Sequence, residues 1–204
     1  MRVILTSVTK GSHDSSLPPT SLEFASGTVT LARAETERRP TVLGLIASGR
    51  MRADRGAVTI DGVSDYSEMR NRIALVDAPG VCEPADDVTV ARVVAEELMF
   101  AGRSSSRASV LSVLDSLELR DVSRSALADL APSRRIRLLT ELAVVREGVE
   151  ALVVCSPDRH GGDPLEWWTL LEGLATRGYA VLAIAGDASA HAIGGLLREG
   201  ADAR

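Results

Sequence analysis

Two apolar runs near the C-terminal end constrain this chain most. "EALVVC" (150–155) and "YAVLAIAGD" (179–187) carry almost no polar side chains until their ends. A continuous apolar run of that length marks a strand covered on both faces. Between them, "PLEWWTLLEGLATRG" (164–178) opens on proline and closes on glycine, as a helix does. Two buried strands joined by one helix predict a right-handed crossover and a parallel sheet.

Earlier segments supply the other elements. "RVILTSV" (2–8) reads as a strand and "KGSHDSSLPP" (10–19) as a turn-rich loop. "SLEF" (21–24) and "GTVTLA" (27–32) read as two strands joined by a tight turn. Leu43, Leu45, Ile46 and Ala47 suit a buried helix over 41–47, with Pro40 in its first turn. "GAVTIDG" (56–62) is a strand ending in an Asp-Gly turn, and "RIALVDAP" (72–79) a strand stopped by proline. From about 88 to 146 the apolar residues recur at three and four, which predicts helices. The expected fold class is α/β, in one domain over 1–204. It has a mainly parallel core sheet, an N-terminal antiparallel β element and an inserted helical subdomain at about 87–130.

Composition narrows the function. The chain has 204 residues and a formal net charge of −5, and its arginines are spread along the sequence, so no nucleic-acid partner is expected. No apolar run approaches the roughly 20 residues that span a bilayer. The N-terminal segment lacks the layout of a signal peptide, and the expected location is cytoplasmic. Two cysteines, Cys82 and Cys155, are too few for a disulfide framework. Cys155, at the end of an apolar strand, reads as a small buried hydrophobe. His13 and His191 have no ligand-like spacing to His160, so no metal site is expected. Trp167 and Trp168 are adjacent on a helix, which predicts one in the core and one partly exposed. Arg134, Arg135 and Arg137 read as a solvated or interface face.

Read in order, several stretches resemble the ATP-binding subunit of ABC transporters, a P-loop NTPase fold. "LGLIASGRMRADRGAVTIDG" (43–62) is similar to that family's post-P-loop helix and the strand after it. "RIALVDAPG" resembles the strand leading to the glutamine loop, and "DDVTVARVVAEEL" the helix that follows. "LAPSRRIRLLTELAVVR" (130–146) resembles the signature helix, "EALVVCSPDRHGGDP" the Walker B strand and D-loop, and "GYAVLAIAGD" the last core strand. The resemblance covers about 3–188. It implies a partner that is a membrane transporter subunit or another ABC-type subunit, and a location at the inner membrane reached through that partner.

The same alignment shows what is altered. A P-loop needs glycines for close backbone approach to phosphate, a lysine for the β and γ oxygens, and a hydroxyl for Mg²⁺. Here the glycine positions fall on Arg33 and Arg38, the lysine on Arg39 and the hydroxyl on Pro40, with Thr41 following. Glu35 and Glu37 add negative charge beside the would-be anion site. The glutamine-loop residue falls on Asp77, the Walker B aspartate on Cys155, its glutamate on Ser156, and the histidine after the last strand on Gly186. The signature-like stretch is Leu130, Ala131, Pro132, Ser133 and Arg134; the D-loop aspartate, Asp163, and Arg137 match the family pattern. These positions imply a degenerate Walker A site and a pseudo-ATPase acting as a binding or regulatory subunit, with no catalytic residue assigned. No cofactor is expected, or at most weak ATP or Mg²⁺. Carboxylates at 35 and 37 facing arginines at 134 and 135 of another copy would give a weak homodimer at most.

Two alternatives belong beside this reading. One is a working ABC-type ATPase with an aberrant site, Arg39 replacing the lysine and Asp163 or Glu83 the carboxylates. The other is an unrelated α/β hydrolase using Ser156 or Cys155 with His160.

Overall fold

The computed structural model describes residues 1–35 and 39–202, the side chains of 196–202 excepted. The strands are β1 (Arg2–Lys10), β2 (Leu17–Ala25), β3 (Val29–Arg33), β4 (Arg55–Ile60), β5 (Ile73–Val76), β6 (Ala151–Cys155) and β7 (Ala180–Ala185). The α-helices are α1 (Arg39–Ala47), α2 (Tyr66–Arg72), α3 (Val90–Phe100), α4 (Arg107–Ser116), α5 (Pro132–Ala143), α6 (Pro164–Thr176) and α7 (Asp187–Asp202).

The two apolar runs are β6 and β7. They lie side by side and parallel, with Val153 opposite Leu182, and every residue of both is buried. Their sheet has the order β3-β7-β6-β5 and is parallel throughout. Successive side chains of a strand point to opposite faces. Leu152, Val154, Val181 and Ala183 therefore join one core with α3, α5 and α6. Val153, Cys155, Leu182 and Ile184 join a second core with α1 and the other sheet. That other sheet, β2-β1-β4, is antiparallel.

Helix α1 lies between the two sheets, with Leu43, Gly44, Ile46 and Ala47 all buried. A helix this apolar all round belongs inside a protein. Gly44 makes the packing possible, because a Cβ added there would sit 2.4 Å from Cys155 Sγ.

Several local expectations are corrected. The loop expected over 10–19 is shorter, since β2 already begins at Leu17 and contains Pro18 and Pro19. β2 is an edge strand, where a missing N–H is tolerated. The tight turn expected after Ala25 is present, closed by the Thr28 N–H to the Ala25 carbonyl at 3.2 Å, and it carries the chain from one sheet to the other. Helix α2 was not expected. Its N-cap is Asp65, whose Oδ1 accepts from the N–H groups of Ser67 (2.9 Å) and Glu68 (3.0 Å). Trp167 and Trp168 are both buried, at 1% and 4% exposure. α6 packs against β7, α5 and α7, so two of its sides are covered. The Trp168 Nε1–H donates to Glu172 at 2.9 Å, which satisfies the buried indole.

The contact at Gly44 gives a test. Gly44→Ala gains about 1 kcal/mol of helix propensity but overpacks α1 against Cys155, a fault that costs about 1–3 kcal/mol. We expect a lower urea midpoint with an unchanged slope, and recovery in the Gly44→Ala/Cys155→Ala double variant. A more stable Gly44→Ala protein would contradict the packing described.

Candidate functional site

The parallel strands point their C-terminal ends at one edge of the sheet, the usual place for a binding crevice in an open α/β sheet. Four strand ends and the start of α1 meet there. Ala34, Glu35, Pro40, Pro79, Ser156, Asp158, Arg159 and Gly186 line a cleft of about 560 Å³. Three positions singled out in the sequence, Pro40, Ser156 and Gly186, thus share one wall. Thr41 and Cys155 lie buried nearby. The Thr41 hydroxyl is 3.4 Å from the carbonyl of Pro79, and the Cys155 thiol faces the carbonyl of Pro40 at 3.7 Å. Burial pushes the Cys155 thiol far above its ordinary range, so it is neither a ligand nor a nucleophile at neutral pH.

Asp77 follows β5 directly and is 4% exposed. Its Oδ1 accepts from Arg135 Nη2 at 3.0 Å and from Arg159 Nη2 at 2.8 Å. Its Oδ2 lies 3.0 Å from His160 Nε2 and 3.4 Å from Arg135 Nε. Arg159 also meets Glu83 at 3.0 Å and, through Nε, His160 Nε2 at 2.9 Å. The Arg135 Nη1 group has no hydrogen-bond partner and lies 3.6 Å from Asp86 Oδ1. Burial pushes the Asp77 carboxyl up, but the bonds from His160 and Arg135 and the charges of Arg135 and Arg159 outweigh it. The carboxyl is held below the usual carboxylate range.

Asp77 and Ser156 both have left-handed backbone, with φ of 54° and 47°. They sit at the ends of adjacent strands, and such conformations in non-glycine residues gather at sites where the surroundings hold them.

Carboxylates also fill the other side of the cleft. Asp158 Oδ2 accepts from the Gly186 N–H at 2.9 Å and the Ser189 hydroxyl at 3.0 Å, and Glu35 accepts from the Asp187 N–H at 2.6 Å. The start of α7, a natural anion site, is occupied by the chain's own anions.

The remaining sequence positions lie elsewhere. Arg33 is exposed and points towards Asp187 at 3.9 Å, and Arg38 lies outside the described residues. Arg39 is half-buried, and its Nε has no partner. Asp163 is the N-cap of α6. Leu130 is buried, Ala131 caps α5, Pro132 opens it, and Ser133 and Arg134 border a separate groove on α6. Arg134 is tied to Asp121 at 2.8 Å, and Arg137 faces Glu118 at 3.5 Å.

Two expectations fail here. Arg135 is not on a solvated or interface face; it is 2% exposed and bound to Asp77, so it cannot pair with another copy. The hydrolase dyad is absent among the described residues, because His160 turns to Asp77 and Arg159 and no hydrogen bond joins it to Ser156 or Cys155. Arg135, Arg159 and Asp158 escaped the sequence reading as a site. One signal was available: Arg135 precedes Leu138, Leu139 and Leu142 by three, four and seven residues, which puts it on the buried face of α5.

The cleft lies at the edge of an open parallel sheet within an α/β fold. The structural matches narrow that to the fold of ABC transporter ATP-binding cassettes. The chain is similar to a putative ABC transporter ATP-binding protein from Pyrococcus furiosus, with a TM-score of 0.67, 13% identity and 92% of each chain covered. It is similar to a nucleotide-free ATP-binding cassette from an ABC transporter, with a TM-score of 0.66, 16% identity, and 92% of this chain and 82% of that one covered. A dimeric bacterial ABC transporter cassette matches at a TM-score of 0.66 and 17% identity, over 91% and 88% of the two chains. No family model and no curated protein matches the sequence. Among the described residues no helix is long and apolar enough to cross a membrane, and no group of three His, Cys, Asp or Glu is placed to hold a metal ion.

The ion cluster predicts both stability and its pH dependence. Asp77→Ala takes from the buried Arg135 its closest counter-ion, while Arg159 keeps Glu83, and should cost about 3–5 kcal/mol. Because the folded carboxyl titrates below the unfolded one, its stabilisation is full above the ordinary carboxylate range. It is lost as pH falls through the depressed value. Denaturation of Asp77→Asn should therefore change less between about pH 5 and pH 3 than that of the parent chain. Equal acid slopes would show that the cluster does not hold Asp77 ionised.

Proposed function

We propose that this chain is a degenerate ATP-binding-cassette-like subunit that does not hydrolyse ATP and acts by binding. The observation that carries this reading is the state of Asp77. Its carboxylate is committed to Arg135, Arg159 and His160, so it is free neither for a metal nor to orient a water. The residues present do not suit Mg-ATP. Arg39 and Pro40 stand where the lysine and hydroxyl are needed, Cys155 and Ser156 where the carboxylates are, and Glu35 and Asp158 hold amides at the cleft.

On this reading 87–130 serves as a helical subdomain. Its partner is a membrane transporter subunit or another ABC-type subunit, and it meets the membrane only through that partner. The fold matches support this by likeness, since one of the matched structures is a dimeric ABC transporter cassette. Glu35 and Arg135 are engaged within the chain, which leaves little charge for pairing between copies.

Purified protein should hydrolyse ATP no faster than background, and Cys155→Asp should not restore activity, because the missing groups act as a unit. Mg-ATP should leave the thermal midpoint in place, whereas a ligand at 100 times its Kd would add about 2.7 kcal/mol. A turnover of about 1 s⁻¹, abolished by Arg39→Ala, would establish the aberrant-but-working site instead.

Sedimentation gives a second test. We expect a monomer or a weak, salt-sensitive dimer, since exposed ion pairs contribute about 0–1 kcal/mol each. A tight dimer formed only with Mg-ATP would overturn the reading.

A further inference from the structure

The turn after α1 meets α2 and the loop before it around a cavity of about 520 Å³ that carries an unbalanced charge. Gly49 brings these segments together. Its φ is 72°, and a Cβ added there would sit 2.6 Å from Met69 Cβ and 3.1 Å from the Tyr66 carbonyl. Arg50, Arg52 and Arg70 line the cavity against one carboxylate, Asp65. Asp65 Oδ1 already accepts from the N–H groups of Ser67 and Glu68.

Neutral groups hold the three arginines in place. Arg50 Nη1 donates to the carbonyls of Ser48 at 3.2 Å and Ile73 at 3.0 Å, and Arg70 Nη1 donates to the carbonyl of Gly49 at 3.2 Å. The Arg52 guanidinium lies over the Tyr66 ring, 4.9 Å from its centroid. None of the three forms an ion pair among the described residues. Arg50 is half-buried, and burial together with the charges of Arg146 and Arg70 lowers its pKa from the ordinary arginine value. It nevertheless remains a cation at neutral pH. Glu97 does not relieve it in this cavity, since it lines a separate one of about 160 Å³. The chain as a whole carries a net charge of −5, so this local excess of cations runs against its composition.

Guanidinium groups fixed at one end, with N–H groups left unused, suit the planar fork geometry by which arginine holds phosphate. The charges also match. Three cations against one carboxylate leave an excess of two, and a phosphate monoester carries about −1.5 to −2 at pH 7. A monocarboxylate would neutralise only half of that excess. Ser64 adds a hydroxyl donor to the lining. The volume lies within the roughly 300–1,000 Å³ of small-molecule sites, which leaves room for the organic part of an ester.

We infer that this cavity binds the phosphate group of a phosphate monoester, held by Arg50, Arg52 and Arg70. No covalent bond is made or broken. Ile73 is the first residue of β5, so the site lies at the N-terminal ends of the parallel strands, away from the cleft at their C-terminal ends. It therefore stands whether or not a nucleotide enters the cleft.

The test follows the backbone amide signals of the ¹⁵N-labelled full chain at about pH 7.5, where a phosphate monoester is chiefly dianionic. One arm adds sn-glycerol 3-phosphate, with sodium chloride at matched ionic strength as the reference. A second arm measures cosedimentation with vesicles of phosphatidic acid in phosphatidylcholine, against phosphatidylcholine alone. Saturable shifts at 49–52 and 64–67 in the first arm assign a soluble ester. Binding in the second arm alone assigns a lipid headgroup. In either case Arg52→Gln/Arg70→Gln should weaken the apparent affinity about tenfold or more, because it removes two charged donors. Arg103→Gln, exposed and outside the cavity, should leave it unchanged. Shifts that follow ionic strength alone, without vesicle binding, overturn the inference. So does binding undiminished in the double variant, or saturable shifts confined to the cleft around Ser156 and Gly186. Should the double variant not fold, Arg52→Gln decides alone, since Arg52 is exposed and its contact is the Tyr66 ring.

Discussion

The buried carboxylate of Asp77 holds together the end of the sheet on which the cleft is built. β5 ends at it, α5 reaches it through Arg135, and the turn after β6 reaches it through Arg159 and His160. Arg135 and Arg159 lie 58 and 82 positions further along the chain, so one side chain joins three distant segments. A charge taken out of water costs several kcal/mol unless it is paired and hydrogen-bonded. Asp77 meets that cost with three partners, and each partner depends on it in return. Arg135 above all, with 3% of its side chain exposed, has no acceptable place without a carboxylate beside it.

The turn Pro157–His160 does a second job in the opposite sense. Arg159 and His160 deliver donors to Asp77, while the adjacent Asp158 delivers an acceptor to the start of α7. Negative charge at a helix N-terminus is favourable, and here it also satisfies amides that would otherwise lack partners. Ser156 makes this possible by adopting left-handed backbone at the end of β6, which swings the turn across the strand ends. Below it, α1 is pinned by Gly44 against Cys155 and brings Pro40 to the cleft wall. Backbone strain, apolar packing and ion pairing thus meet at the same strand ends.

How much of this was legible in the sequence depends on the kind of signal. The apolar runs that became β6 and β7 could be read directly, because burial on both faces removes every polar residue. The helix over 41–47 and the Asp-Gly turn after β4 were equally plain. Helix α2 was missed although Asp65 and Glu68 are placed as in a capping box, because a helix this short has no apolar repeat to reveal it. The prolines of β2 hid a strand, since whether a strand lies at an edge is a property of the sheet and not of the segment. Pro40, Ser156 and Gly186, which the resemblance singled out, line one cleft because each stands at the end of a strand of the parallel sheet or at the start of α1. The ion cluster was not legible, because its members come from three segments whose meeting is a tertiary fact. Charged residues in "PDRHGGD" resemble any surface loop until Asp77 is known to face them.

The cluster also changes how the altered positions should be weighed. Taken one at a time, Asp77, Arg135, Arg159 and His160 look like unrelated polar residues of three segments. Energetically they are one unit, and residues sharing an ion network do not contribute additively. Putting a neutral amide at 77 alone would take the closest counter-ion from Arg135 in a buried place, while Arg159 would keep Glu83. Removing Arg159 alone would leave Asp77 still paired with Arg135, a smaller disturbance. Arg135 therefore depends on the aspartate more than the aspartate depends on either arginine. Arg33 and Asp163 stand outside this network and can vary without disturbing it. Taking the cluster apart with least disturbance would therefore begin at its outer members, with Arg159 and His160 changing before Asp77.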